Sequence, residues 1–209
     1  MIENTFENNV AVLHGLVAGE AKFSHDIYGE GFYSFNVSVE RLSNSYDDIP
    51  VIVSERLLSP NNIKSGRKIT VFGQFRSYND VSSNRKNKLV LSFFVREIEL
   101  DNDFEGNSNS VELDGFICKP PIFRTTPSGR EIADVLLAVN RSYSKSDYIP
   151  CIVWGRNARY CSNLKVGTQI KIDGRIQSRK YQKRYDSGEV ETKVAYEVSV
   201  SKLDVKNKN

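Results

Sequence analysis

Short β-branched runs alternate with turn-forming residues along most of the chain, and the alternation has the two-residue period of strands. In the second half it predicts strands at Val111–Cys118, Ile132–Asn140, Ile149–Trp154, Gln169–Gln177 and Val194–Leu203. A short helix is predicted between the third and fourth, near Asn157–Asn163. The first half follows the same plan, beginning with VAVLHGLVAGEAKF from Val10, after a loose arm over residues 1–9.

The two halves are copies of one another. Leu13 and Gly15 match Leu113 and Gly115 at an offset of 100, and Phe32–Arg41 lies over Ile132–Arg141. Ile49–Val53 lies over Ile149–Val153; after the helix the offset slips to 101, placing Lys64-Ser65-Gly66 over Lys165-Val166-Gly167 and Gly73 over Gly174. The expected organisation is a unit over 1–100, a polar flexible linker over 101–109 and a second unit over 110–209. Each copy carries five strand signals and one helix signal, a set that closes best as a barrel. Five strands with a helix between the third and fourth is the OB-fold arrangement. An all-β chain of two tandem OB-fold barrels is therefore expected, with Gly15, Gly73, Gly115 and Gly174 at the bends where strands curl.

Charge changes the picture once the chain is divided. Residues 1–109 hold 11 Lys and Arg against 15 Asp and Glu, a balance of −4; residues 110–209 hold 18 against 11, a balance of +7. A polyanion is expected to bind the second half. No apolar run approaches the roughly 20 residues of a membrane helix, and MIENTFENN lacks the pattern of a signal peptide. A cytoplasmic, nucleoid-associated location is expected. Cys118, Cys151 and Cys161 are odd in number and not in CxxC spacing, so reduced thiols are expected, Cys118 and Cys151 as buried hydrophobes.

Aromatic residues stand at strand ends in the basic half. Tyr143 follows the second strand, Tyr148 and Trp154 flank the third, and Tyr181 follows the fourth. Parity puts Ile149, Cys151 and Val153 on one face and Tyr148, Pro150, Ile152 and Trp154 on the other. The first set makes the better core, leaving the aromatic-ended face for ligand. Five basic residues between Arg175 and Arg184 surround Tyr181, a mixture that suits stacked bases and tracked phosphates.

At this point residues 110–203 resemble the bacterial single-stranded DNA-binding proteins, the SSB family. The matching residues include Leu113-Asp114-Gly115, Pro127-Ser128-Gly129, Leu137-Ala138-Val139, Val153-Trp154-Gly155, Ala158, Lys165-Val166-Gly167, Ile172-Asp173-Gly174-Arg175 and Ser178-Arg179-Lys180-Tyr181. The resemblance implies that DNA stacks on Tyr143, Tyr148, Trp154 and Tyr181, with Arg141, Arg156, Arg175, Arg179, Lys180, Lys183, Arg184 and Tyr185 as the surrounding contacts. It also implies a homodimer that brings four barrels together, with replication or primosome proteins as partners. The first copy has Ser43, Asp48, Ser54 and about Asp80 at the four ring positions. Its IPVIVS, ITVFG and VREIEL runs are similar to the primosomal replication protein N family. Its aromatics Tyr28, Phe32, Tyr33, Tyr46 and Tyr78 are read as core or partner surface rather than DNA contacts. The family's acidic, aromatic-ended tail has no counterpart in KLDVKNKN; Asp47-Asp48-Ile49-Pro50 is read as a loop entering a strand.

Enzymatic chemistry has little support. Ser24-His25-Asp26 holds catalytic residue types, but adjacency in sequence is not the geometry of a triad. His14 has no nearby ligand partner, and neither a metal nor a cofactor is expected. The function expected is sequence-tolerant binding that coats and protects single-stranded DNA. The alternative is a primosome-like protein-interaction module with auxiliary binding of single-stranded DNA or RNA.

Overall fold

The computed structural model describes residues 8–80, 88–104, 108–185 and 188–206. The first barrel is built from β1 (Asn9–Ile27), β2 (Glu30–Glu40), β3 (Tyr46–Ser54), β4 (Lys68–Asp80) and β5 (Lys88–Leu100). β1 pairs with β2 and β4, β2 with β3, β4 with β5, and β5 closes the ring by a parallel contact with β3, Val51 opposite Phe93. The second barrel repeats the circuit with β6 (Asn109–Ile117), β8 (Glu131–Arg141), β9 (Lys145–Trp154), β10 (Gln169–Arg184) and β11 (Val190–Val205). Here the parallel contact places Val198 opposite Cys151. Two five-stranded OB-type barrels in tandem are what the periodicity predicts.

Inward positions are filled by Leu13, Ile49, Ile69, Phe75 and Phe93 in one barrel and by Leu113, Leu137, Ile149, Ile170 and Ile172 in the other, all buried. Each such side chain contributes roughly 1.5–3 kcal/mol on leaving water. The interior glycines sit where strands press together. A Cβ at Gly73 would lie 2.1 Å from the Phe94 carbonyl oxygen, and the pairing of β4 with β5 shifts register at that point. Gly174 stands at the matching shift in β10, 2.4 Å from the Ser199 oxygen.

Several elements differ from expectation. The second-copy helix, α1 (Gly155–Cys161), starts two residues earlier than predicted and plugs its barrel with Ala158 and Cys161. Its counterpart is a single 3-10 turn at Pro60–Asn62; Pro60 and two asparagines make a poor helix, and Leu58 and Ile63 fill that barrel end instead. A strand absent from the prediction, β7 (Ile122–Thr125), pairs with β8 although every residue in it is exposed. β10 and β11 run on as a charged ribbon to Arg184 and Val190, held by cross-strand pairing rather than by an apolar face. Of the expected loose arm, residues 1–7 lie outside the described residues, while the Asn8 amide donates to the Asn140 carbonyl at 2.7 Å and Asn9 begins β1. Residues 101–104, expected to be flexible, are tied down: Asp101 accepts from Arg67, and Phe104 stacks on His14 at 5.4 Å.

The barrels join through β1 and β6, which pair antiparallel from Asn9↔Leu113 to Leu13↔Asn109. Ala11↔Val111 lies at the centre, and these are equivalent residues of the two copies, so a pseudo-two-fold axis passes between them. The symmetry extends to side chains. The Asn9 amide donates to the Phe75 carbonyl (2.7 Å) and its oxygen accepts the Phe75 N–H (3.0 Å). Asn109 does the same for Ile176, at 2.7 and 2.8 Å. Each asparagine continues the ladder past the point where its strand turns to the other barrel.

Candidate nucleic-acid interface

The outward sheet face of the second barrel follows from its register. Arg175 lies opposite Ser199, Ser199 opposite Ile152, and Ile152 opposite Asp134, so these positions share one side of β10, β11, β9 and β8. Two-residue steps along the strands add Trp154 and Tyr148 on β9, and Gln177, Arg179, Tyr181 and Lys183 on β10. Trp154 is half-buried, and its Nε1–H donates to Ser199 Oγ at 3.0 Å, which fixes the indole while satisfying its one donor. Tyr148 is 42% exposed and Tyr181 37%. Ile149, Cys151 and Val153 face the core as parity predicts. Ile152 lies on the outward side but is only 5% exposed, so the aromatic face has a covered apolar floor between its rings.

Tyr143 occupies the turn between β8 and β9 with φ of 61°, a left-handed backbone that bulky residues rarely adopt, and it is 93% exposed. Nothing in the core explains a tyrosine there. The Arg179 guanidinium carbon lies 5.9 Å from the Tyr181 ring centre, and Lys183 Nζ lies 4.8 Å from that of Tyr185. Tyr185 donates its hydroxyl to Glu191. Lys180 and Arg184 are exposed on the opposite side of the ribbon from Tyr181, so the hairpin presents cations in both directions. Arg156 is exposed at the start of α1. Glu197 also lies on the aromatic face: it accepts from Gln177 at 2.8 Å and stands 3.8 Å from Arg179.

Arg141 and Arg175 are drawn away from this group into the seam between barrels. Arg175 Nη1 lies 3.5 Å from Asp47, and Arg141 Nη1 lies 3.5 Å from Asp147. Asp47 is therefore a strand residue buried in the seam rather than part of a loop. Burial alone would push its carboxyl pKa up, but hydrogen bonds from Arg41 and from the Ser178 N–H and hydroxyl outweigh that and hold it below the ordinary value.

Cys118, Cys151 and Cys161 are free thiols; Cys118 is part-exposed rather than buried, because it lies just beyond the end of β6. Burial pushes all three thiols up, Cys161 to about 11. Thiols so held are poor nucleophiles at neutral pH.

In the first barrel Phe32 is buried and Tyr33 packs against the core, whereas Tyr46 and Tyr78 are more than half exposed and Tyr28 fully so. Ser54 stands at the place of Trp154, as the repeat predicts; the Asp80 side chain lies outside the described residues. A pair that position-by-position comparison misses lies next to it. Phe94 is opposite Ile52 as Ser199 is opposite Ile152, so the large and small partners have exchanged strands between copies. Arg76 lies 4.1 Å and Arg96 5.7 Å from the Phe94 ring centre. The available signal was the alternation of Phe and Arg in FGQFR and FFVRE.

Residues 108–205 match the model of the single-strand binding protein family. The chain is similar to single-stranded DNA-binding protein 2 of Listeria monocytogenes, 38% identical over 108 residues that make up 48% of this chain and 67% of that one. It is also similar to single-stranded DNA-binding protein A of Bacillus subtilis, 38% identical over 106 residues, 47% of this chain and 61% of that one. The chain thus spans about two thirds of the length of these relatives. In structure it is similar to the wild-type single-stranded DNA binding protein from Thermus aquaticus, with a TM-score of 0.69 over 96% of this chain and 94% of that one at 17% identity, a likeness of fold. No helix among the described residues is long and apolar enough to cross a membrane. The matched span contains β6 to β11 and every ring of the aromatic face, and the chain belongs to the single-strand binding protein family.

Proposed function

We propose that the chain binds single-stranded DNA without sequence preference, coating and protecting strands exposed in replication, recombination or repair. The observation that carries this reading is the outward face of the second barrel, where Tyr148, Trp154 and Tyr181 stand beside Arg179 and Lys183. Rings of this kind contribute roughly 1–3 kcal/mol per stacked base, and every base offers a π-face. Lysine and arginine add a salt-sensitive term through counterion release. The chemistry is binding rather than catalysis. Titrating the intrinsic fluorescence of Trp154 with dT and rU homopolymers tests it. Quenching that saturates with dT is expected, and the rU curve measures whether RNA is taken as well; no quenching by either polymer, with binding equally absent by filter retention, would refute it.

Two chains are proposed to associate, bringing four barrels together. Phe23, Ile27 and Tyr28 at the exposed β1–β2 hairpin are apolar surface suited to a second copy. Light scattering at micromolar concentration is expected to return twice the chain mass of 23.7 kDa.

A further inference from the structure

The seam between the barrels is unequal on its two sides. On one side Arg41 closes it: its Nε donates to Asp47 at 2.6 Å and its Nη2 to the Ser178 carbonyl at 2.7 Å. On the other, the equivalent Arg141 stays 3.5 Å from Asp147, and an open groove of about 1410 Å³ remains between β4 and β5 of the first barrel and β8 and β9 of the second. Arg76, Arg96, Arg141 and Lys145 line it together with Tyr143. Of the carboxylates that also line it, Asp147 stands beside Arg141 and already accepts the Ser77 N–H at 2.9 Å.

Like charges converge here around a single nearby carboxylate, Asp147, which stands 3.5 Å from Arg141. Among the described residues neither Arg76 nor Arg96 makes an ion pair, and Arg76 bonds only the Gln74 side chain, at 2.6 and 3.0 Å. Burial, reinforced by Arg96 and Arg141, lowers the Arg76 pKa to about 10. The Phe94 ring holds both guanidiniums, a cation–π arrangement that fixes their direction. A second, smaller groove of about 230 Å³ shares Arg141 and Lys145 and is lined by Tyr148 and Tyr78. Arg141 and Lys145 link the two grooves into a track that has Tyr143 and Tyr148 of the second barrel and Arg76 and Arg96 of the first along it.

We infer that this track carries the backbone of a single strand across the seam, with Arg76 and Arg96 of the first barrel as phosphate contacts. The inference rests on the proposed function of the second barrel and extends the bound strand to the half whose net charge is −4. Its phosphates would relieve the repulsion among the four cations, which Asp147 offsets only in part. Glu97 and Asp114 also line the groove, and Asp114 is already held by Lys206 and by Gln169.

The test uses the full chain and two oligonucleotides. One is about 12 nucleotides, within the site size of a single barrel, and one is about 35, long enough for both. Arg76→Gln with Arg96→Gln is expected to leave binding of the short strand within twofold. For the long strand it is expected to lower affinity by tenfold or more and the log-log salt slope by about 1.4, or 0.7 for each lost contact. Arg96→Gln alone alters an exposed residue, so folding is not at issue, and a slope reduction of about 0.7 is expected. An unchanged slope with the long strand in both variants overturns the inference, as does equal weakening with both strands. Failure of the unaltered chain to bind either oligonucleotide would instead overturn the proposed function.

Discussion

Asp47 of the first barrel accepts both the backbone N–H of Ser178 at 2.6 Å and its hydroxyl at 2.8 Å, holding the second barrel by a residue 131 positions away. Asp147 and Ser77 repeat the contact across the pseudo-two-fold axis, with the Tyr148 N–H donating to Ser77 Oγ at 2.7 Å. The two latches differ in strength, because only Asp47 is also gripped in hydrogen-bonding distance by an arginine. Asp47→Ala strands Arg41 and the Ser178 N–H, and is expected to cost about 3–5 kcal/mol. Asp147→Ala removes fewer bonds, for about 1–3 kcal/mol. Urea midpoints of the two variants, with m-values compared, decide the order.

The same latch has a pH signature. The Asp47 pKa is depressed on folding from an ordinary 3.8, so its stabilisation is full above that value and fades as pH falls through the lower folded one. Melting temperature is therefore expected to drop more steeply below about pH 4 in the unaltered chain than in Asp47→Asn, which has no such group to protonate. Parallel curves down to pH 2.5 would remove Asp47 from the acid response.

Trp154 and the ribbon cations are expected to separate in a salt titration. Trp154→Ala should lose roughly 1–3 kcal/mol of single-strand affinity with the salt slope unchanged, because a ring releases no counterions. Lys180→Ala with Arg184→Ala should lower the slope by up to about 1.4. Trp154 also bonds Ser199, so its variant is melted first. A loss of several kcal/mol in stability would mean that the ring serves the fold.

Tyr143 should show opposing effects. Its left-handed φ of 61° disfavours any side chain, so Tyr143→Gly is expected to raise stability by up to about 1 kcal/mol. The same change is expected to reduce affinity for single strands by about 1–3 kcal/mol. Stability and affinity falling together would contradict the account of an exposed ring held at a conformational cost.

Gly73→Ala places a methyl 2.1 Å from the Phe94 oxygen, backbone that must move for it. An overpacking cost of about 1–3 kcal/mol is expected. Because Phe94 holds Arg76 and Arg96, long-strand affinity should fall with it.

What could be read in the sequence was what repeats or alternates. Leu13 over Leu113 and Gly73 over Gly174 revealed two copies and their bends, and the alternation of Ile149, Cys151 and Val153 separated core from surface. The seam was not legible, because Asp47 and Asp147 meet their partners only through the pairing of β1 with β6. Arg175 and Arg141 looked like ribbon or strand-end cations for the same reason. Phe94 escaped notice since its counterpart is Ser199, and the ring it replaces stands on a neighbouring strand. β7 left no signal, being four exposed residues that only β8 orders.

The Ala11↔Val111 pairing places at the centre of one polypeptide an axis of the kind that relates subunits in a symmetric assembly. In an assembly of identical subunits any substitution appears on both sides of such an axis. Here each side is encoded separately, so one edge of the seam could close around Arg41 while the other stayed open beside Arg141. The result is a module with direction: on the open side Tyr143 and Tyr148 belong to one copy and Arg76 and Arg96 to the other, and no rotation exchanges them. Covalent linkage of the copies gives the molecule a front and a back that a true two-fold would forbid.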